Sequence, residues 1–370
     1  MRLRHLARRI ALALPLAMML AFAVAYWQSD SECAERLGEP PRDPMRAFVY
    51  CNYGPPGVLR LATIEKPAPA NGEILIRVRA AAVNPLDWHY MRGVPYVMRL
   101  ESGLRKPALM RLGVDFAGTV EAVGAGVTRF EPGDDVFGGR TGAFAEYVVV
   151  REAGALVHKP ANVTFEQAAA VPIAAITALQ GLRDKGGVAP GQKVLINGAS
   201  GGVGTFAVQM AKHFGAEVTG VCSTRNVELV RSLGADHVID YTRTDFTQGT
   251  ARYDVLLDNV GNHAVSACRR VLTANGRYVL VGGGGPNDHR WIGPFGRVIP
   301  MYATAPFVTQ DMRMFIAGLN ARDLATLATL MQDGKVTPVI DRRFSFGDVP
   351  DAIAYLEQGR ARGKVVITLE

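Results

Sequence analysis

The chain has 370 residues, 48% hydrophobic and 20% charged, which excludes a disordered or wholly membrane-embedded chain and leaves room for two ordinary domains. Its formal charge of +7 is spread out, without a Lys/Arg stripe interleaved with aromatics, so no nucleic-acid partner is expected. The four cysteines (Cys33, Cys51, Cys222 and Cys268) show no paired spacing and predict neither a disulfide framework nor a CxxC site.

Arg2, Arg4, Arg8 and Arg9 precede an apolar run over residues 10–27, at the lower edge of the length that spans a bilayer. The acids that follow, Asp30, Glu32 and Glu35, place the N-terminus on the cytosolic side by the positive-inside rule. Three readings of residues 1–30 stay open. They form a membrane tether, a signal peptide cut near Ala23 or Ala25, or an extension ahead of a true start at Met45, which would leave the protein cytoplasmic. Residues 31–44, with Pro40, Pro41 and Pro44, read as a linker.

From residue 45 to 165, short alternating stretches such as Glu73–Ala80 and Gly118–Gly124 are separated by Pro/Gly turns and predict a β-rich domain. Over 166–300 helical stretches alternate with short apolar strands, which predicts α/β architecture with a doubly wound parallel sheet. Its strands are Lys193–Ala199, Glu217–Cys222, His237–Asp240, Tyr253–Asn259 and Gly276–Val281. Residues 301–370 close with a strand, a helix and a strand. Residues 90–100 and 286–307, rich in Trp, Tyr, Phe and Met, are expected to line a small-molecule substrate pocket or a homodimer surface.

The segment Asn197–Gly204 runs from a buried strand through glycines into an amphipathic helix. That order predicts a dinucleotide site made by Ser200, Gly201, Gly202, Val203 and Gly204. Gly201 admits a pyrophosphate to the backbone, Gly204 lets the helix pack closely, and the helix N-terminus offers free N–H groups. The next strand ends in Ser223, Thr224 and Arg225 without the acid that would bond a ribose 2′-hydroxyl. Two hydroxyl donors and a guanidinium predict NADPH (NADP) over NADH. Further cofactor contacts are expected at strand ends, from Tyr241, Asn259, Gly261, Gly282 and Gly283.

At this length of match the chain resembles zinc-free medium-chain dehydrogenase/reductases of the quinone oxidoreductase/zeta-crystallin branch. Residues 191–212, Gly113–Val120, Pro132–Gly138, Asp258–Gly261 and Ala361–Ile367 carry the resemblance. Within that branch it looks closest to bacterial NAD(P)-dependent alcohol dehydrogenase-like proteins and mitochondrial reticulon-interacting quinone reductases. The resemblance implies a GroES-like catalytic domain, a Rossmann domain, and a C-terminal segment that returns to complete the first domain. It places Thr177 under the nicotinamide, and Asn84 and Asp87 beside the substrate, with Tyr90 or His89 as a donor. Lys364 is expected to reach the cofactor. Where zinc members carry a Cys and a His, this chain has Asn84 and Val114, so no metal is expected. Hydride transfer to a quinone or an activated carbonyl or alkene is the function implied. The alternatives are an enone/alkenal double-bond reductase, a zinc-free alcohol dehydrogenase, and a non-catalytic NADPH-binding protein of crystallin-like or sensor type.

Overall fold

The computed structural model describes residues 40–108, 110–282 and 291–369. The apolar run 10–27 and Gly283 lie outside them. Among the described residues no helix is long and apolar enough to cross a membrane. Cys51 is disulfide-bonded, contrary to the reading of the cysteine spacing, while Cys222 and Cys268 are free and buried.

Period-two burial builds the first sheet. It is led by β3 (Glu73–Val83), which hides Ile76, Val78 and Ala80 and exposes Arg77 and Arg79 between them. Antiparallel pairing joins β3 to β4 (Asp115–Val123) and β6 (Tyr147–Arg151). From β4 the ladder passes to β5 (Asp135–Gly139) and then β7 (Leu156–His158). The chain's last strands enter the same sheet: β14 (Ile340–Ser345) pairs with β15 (Lys364–Thr368), and β15 with β3. β1 (Pro44–Val49) and β2 (Arg60–Glu65) form a separate ribbon. Helix α1 (Pro85–Arg92) follows β3 directly.

The second sheet is parallel throughout, in the order β10 (His237–Asp240), β9 (Glu217–Cys222), β8 (Lys193–Asn197), β11 (Tyr253–Asp258), β12 (Leu272–Leu280), β13 (Asp311–Met314). Sequence order runs outward in opposite directions from β8 and β11, so their carboxyl ends flank the switch-point crevice of a doubly wound sheet. The sheet continues past residue 300, where the sequence reading ended it. The strand Asp-Met-Arg-Met has no β-branched residue, and only its pairing with β12 reveals it.

Helix α2 (Pro172–Gln180) is buried on almost every side and sits in a core shared by both sheets. Ala80, Ala82 and Ala117 from the first sheet join Ala174, Ala175 and Ala178 of α2 and Val194, Ile196 and Leu257 of the second. Small residues here let two layers approach, while each fully buried Val, Leu or Ile contributes about 1.5–3 kcal/mol. Helix α3 (Gly202–His213) buries Phe206, Ala207, Met210 and Ala211 against β8 and its neighbours, with Val203 and Phe214 half-buried at its ends. Helix α4 (Ala321–Gln332) packs against α2 and β7, and α5 (Val349–Glu357) covers β15, β14 and β3 of the first sheet.

The packing of α3 on β8 depends on Gly204. A Cβ there would stand 2.1 Å from Gly198 O and 2.7 Å from the Ala199 backbone. Gly204→Ala is therefore expected to cost about 1–3 kcal/mol by overpacking and to lower the melting temperature measured by circular dichroism. An unchanged melting temperature would remove the close-packing role of this glycine.

Candidate active site at the cleft between the sheets

The nucleotide loop leaves β8 through Gly198, whose φ of +79° is the left-handed conformation that glycine tolerates. Gly201 is the N-cap of α3 and contributes no side-chain cap, so the first-turn N–H groups at Gly202, Val203 and Gly204 are presented outward with the positive end of the helix dipole. A Cβ on Gly201 would find only Gly198 O, at 3.5 Å, which leaves the open approach a phosphate needs.

Across the switch point, Asp258 ends β11 opposite Asn197. It is wholly buried, and its Oδ1 accepts from Asn197 Nδ2 (2.8 Å), Val260 N (3.1 Å) and Gly261 N (2.8 Å). Its Oδ2 accepts from Tyr278 OH at 2.9 Å, and burial pushes the Tyr278 phenol well above its usual range. This network, which the sequence did not announce, shapes the turn that carries Asn259 and Gly261. Asn259 donates to Asn197 O at 3.1 Å, while its Oδ1 is a buried acceptor with no protein partner. Such an acceptor costs about 1–3 kcal/mol until a donor reaches it. Gly282 lies beside Asn259 O. An open glycine cradle, uncapped helix N–H groups and an orphaned acceptor together fit a dinucleotide. The N–H groups of 202–204, Ser200 and Asn259 would hold it, and when bound NAD(P)H supplies a hydride.

At the end of β9 the structure differs in part from the sequence reading. Thr224 Oγ1 donates to Asp240 Oδ2 at 2.6 Å, so this hydroxyl is already engaged. The acid missing from the end of β9 stands one strand over, where Asp240 pairs with Cys222 in register. The Thr224 hydrogen bond holds Asp240 below the usual carboxylate range, and Arg243 lies 3.5 Å from it. Arg225 donates to Arg360 O at 2.6 Å and so links this corner to the C-terminal lobe. Ser200 and Ser223 each accept from Asn226 Nδ2, at 2.9 and 3.2 Å, which leaves both hydroxyl protons for an incoming acceptor. Tyr241 is 59% exposed beside the same corner.

The opposite wall is a buried polar cluster. Asn84, Asp87 and Lys364 are no more than 3% exposed, and Asp115 is fully buried. Lys364 Nζ donates to Asn84 Oδ1 at 2.5 Å and Asp115 Oδ2 at 3.3 Å, and Asn84 Nδ2 donates to Asp115 Oδ2 at 3.0 Å. Asp87 accepts from Asn84 N (2.7 Å) and Gly113 N (2.9 Å), one bond to each oxygen. Asn84 and Asp87 thus hold one another and the start of α1, with their side chains bonded to the protein. Lys364 likewise faces Asn84 and Asp115. The reason is register: β15 against β3 places Val365 beside Val83 and turns Lys364 inward.

Tyr90 is half-buried, with burial raising its phenol. His89 Nδ1 donates to Val94 O at 2.6 Å, and burial lowers its ring below the usual range. Thr177 Oγ1 donates to Ile173 O at 2.7 Å within α2, and the residue is buried. The two segments expected to line a pocket do meet: Val97 N donates to Trp291 O at 3.2 Å, and Tyr96 stands edge-on to Trp291 at 5.4 Å.

Residues 70–161 match the alcohol dehydrogenase GroES-like domain, and residues 233–367 match the family described as zinc-binding dehydrogenase. The 2-methylene-furan-3-one reductase of Solanum lycopersicum is 36% identical over 338 residues, covering 87% of this chain and 79% of its own length. Mitochondrial NAD(P)H oxidoreductase RTN4IP1 of Mus musculus is 35% identical over 370 residues, covering 88% and 89%. The quinone oxidoreductase from Coxiella burnetii superposes with a TM-score of 0.76 at 29% identity, over 89% of this chain and all of that one. A GroES-like β domain facing a doubly wound nucleotide sheet defines a two-domain pyridine-nucleotide oxidoreductase. The chain belongs to the medium-chain dehydrogenase/reductase family and is an NAD(P)H-dependent oxidoreductase of that family.

Zinc, implied by the description of one matching family, does not fit these residues. Catalytic zinc needs a set of Cys, His or carboxylate ligands. Here an asparagine and a valine stand at two ligand positions of zinc members, and the Lys364 ammonium is the cation against Asn84 and Asp115. Among the described residues no three His, Cys, Asp or Glu side chains converge elsewhere.

Burial pushes the Asp87 carboxyl up to about 7, against the lowering effect of its two N–H donors. A carboxyl raised in the folded state keeps its proton between its usual 3.8 and about 7 while the unfolded chain loses it. Its contribution to stability is therefore complete below that window and is lost as pH rises through it, by up to about 1.4 kcal/mol per unit. Urea unfolding across this range should show stability falling with pH, and the fall should flatten in Asp87→Asn. An equal slope in both proteins would mean that Asp87 is ionised throughout.

Proposed function

We propose that the protein is an NADPH-dependent reductase that passes a hydride to a quinone or an activated carbonyl or alkene without zinc. The observation that carries this reading is an open glycine cradle beside a wall in which the cation held against Asn84 and Asp115 is a buried, fully engaged lysine. With an ammonium held among an amide and a carboxylate at that wall, an acceptor that is already electrophilic suits the site best. A quinone takes the hydride and one proton to give a hydroquinone, while alcohol oxidation would need a base for the hydroxyl proton. His89, the imidazole nearest to that wall in sequence, has Nδ1 committed to Val94 O. Tyr90 is the donor we assign to the substrate side, and Thr177 the contact to the nicotinamide side.

A second reading, reduction of an enone or alkenal double bond, is favoured by the 36% identity to a furanone reductase. NADPH over NADH rests on the Ser200 and Ser223 hydroxyl protons and on Arg225, with Arg243 offsetting the charge of Asp240. The same reading carries a homodimer, and a tether to membrane through residues 10–27. Sedimentation and membrane fractionation of the full chain test these.

Loss of nicotinamide absorbance from NADPH or NADH with quinones, enals and simple ketones distinguishes the readings. Quinone turnover supports the first, and turnover confined to enals supports the second. Tight NADPH binding without turnover of any acceptor would point to a non-catalytic binding protein. In the same assay Arg225→Gln should raise the KM for NADPH about tenfold or more, the loss of one charge-assisted hydrogen bond, with NADH little changed. Equal effects on both cofactors would remove Arg225 from the 2′-phosphate.

A further inference from the structure

Hydride transfer depends on the distance and angle between the nicotinamide and the acceptor, so groups that touch neither can still set the rate. We infer that Asp115 and Lys364 are a positioning pair, holding the nucleotide loop and helix α2 in register with the Asn84–Tyr90 segment. The inference rests on the family's NAD(P)H chemistry and adds to it two groups that act through others.

Four chain segments meet at this pair. Asp115 Oδ1 accepts from Ile173 N at 3.0 Å, in the first turn of α2 and four residues before Thr177. Asp115 Oδ2 accepts from Asn84 Nδ2 at 3.0 Å and from Lys364 Nζ at 3.3 Å. Lys364 Nζ also reaches Asn84 Oδ1 at 2.5 Å, the residue that opens α1. Behind it, Gly363 N donates to Ser200 O at 3.0 Å, and Gly363 bridges Gly201. The lysine stem passes Gly202, where an added Cβ would lie 3.4 Å from Lys364 Cδ. The nucleotide loop, the helix under the nicotinamide, the substrate segment and the C-terminal strand are thus pinned to one ion pair. That pair is 0% and 3% exposed, out of reach of a competing water.

A tether of surface charges would yield to solvent and side-chain motion. A dry pair with its remaining valences filled resists both, and its hydrogen bonds have one geometry. Removing one partner strands a buried charge and confuses stability with position, whereas removing both leaves no unpaired ion. The informative variant is therefore the double one.

The test uses the full chain with Asp115→Asn, Lys364→Met, the two combined, and Lys364→Arg. NADPH and NADH affinities come from nicotinamide fluorescence titration, and the tighter-binding cofactor is used throughout. Single-turnover oxidation of that cofactor and of its 4-deuterated form by a quinone reads the hydride step. We expect the double variant to fold and to bind the cofactor almost as tightly as the wild type. Its hydride step should slow by on the order of 100-fold, with a changed isotope effect, and Lys364→Arg should recover much of the rate. A folded double variant with wild-type rate and isotope effect overturns the inference, as does a loss confined to cofactor affinity. If the wild type binds cofactor but reduces no acceptor, the reductase reading fails by itself. The emission of bound nicotinamide then decides the positioning role, altered in the double variant if it holds and unchanged if it does not.

Discussion

Asp115 carries a charge in a place with no water, and the organisation of the cleft follows from satisfying it. Burial raises its carboxyl above the usual range, and Lys364, Asn84 and Ile173 N offset only part of that. Each of those donors comes from a different part of the chain. An ion with these partners is tolerable in the interior only when all of them are in place. Completing the set therefore requires the last strand of the chain to lie against β3 and the start of α2 to lie against β4.

The same logic of a buried carboxylate recurs on the other side of the cleft, with a different solution. Among the described residues Asp258 is held by an amide, two backbone N–H groups and a phenol, with no cation against it. It stabilises a turn instead of a domain junction, and that turn carries Asn259 with its unpartnered oxygen. Between the two carboxylates lies the glycine loop, where room is made by absent side chains and positive potential by a helix end. The cleft is thus polar on both walls, yet most of its polar atoms are already committed to the protein. The donors still free, chiefly the N–H groups of 202–204 and the Ser200 and Ser223 hydroxyls, are those suited to an anionic cofactor.

The conformation of the loop Asn197–Gly204 could be read from sequence because it is local. The strand, the turn and the helix are consecutive, and the backbone itself needs glycine at Gly198 and Gly204. The roles of Asn84, Asp87 and Lys364 could not be read so well. Lys364 and Asn84 are 280 residues apart, and nothing in either neighbourhood says that they share a hydrogen bond. Both were expected at the ligands, and both are turned inward by the β15–β3 register. Asp240 gave a different lesson: a search along β9 for an acid finds none, because the acid comes from the adjacent strand.

By itself the sequence determined that a β-rich unit precedes a doubly wound sheet, and that a strand, a glycine turn and an amphipathic helix follow one another at its centre. Each of these is carried by residue type and short-range spacing, which need no knowledge of partners. Only the tertiary structure decided that the sheet extends to β13, that Thr224 is bound to Asp240, and that Asn84 and Asp87 are buried beside Asp115 while Tyr90 stays half-buried. Those outcomes depend on which distant segments satisfy a buried charge or an unpaired strand edge, and that is settled when the chain closes on itself.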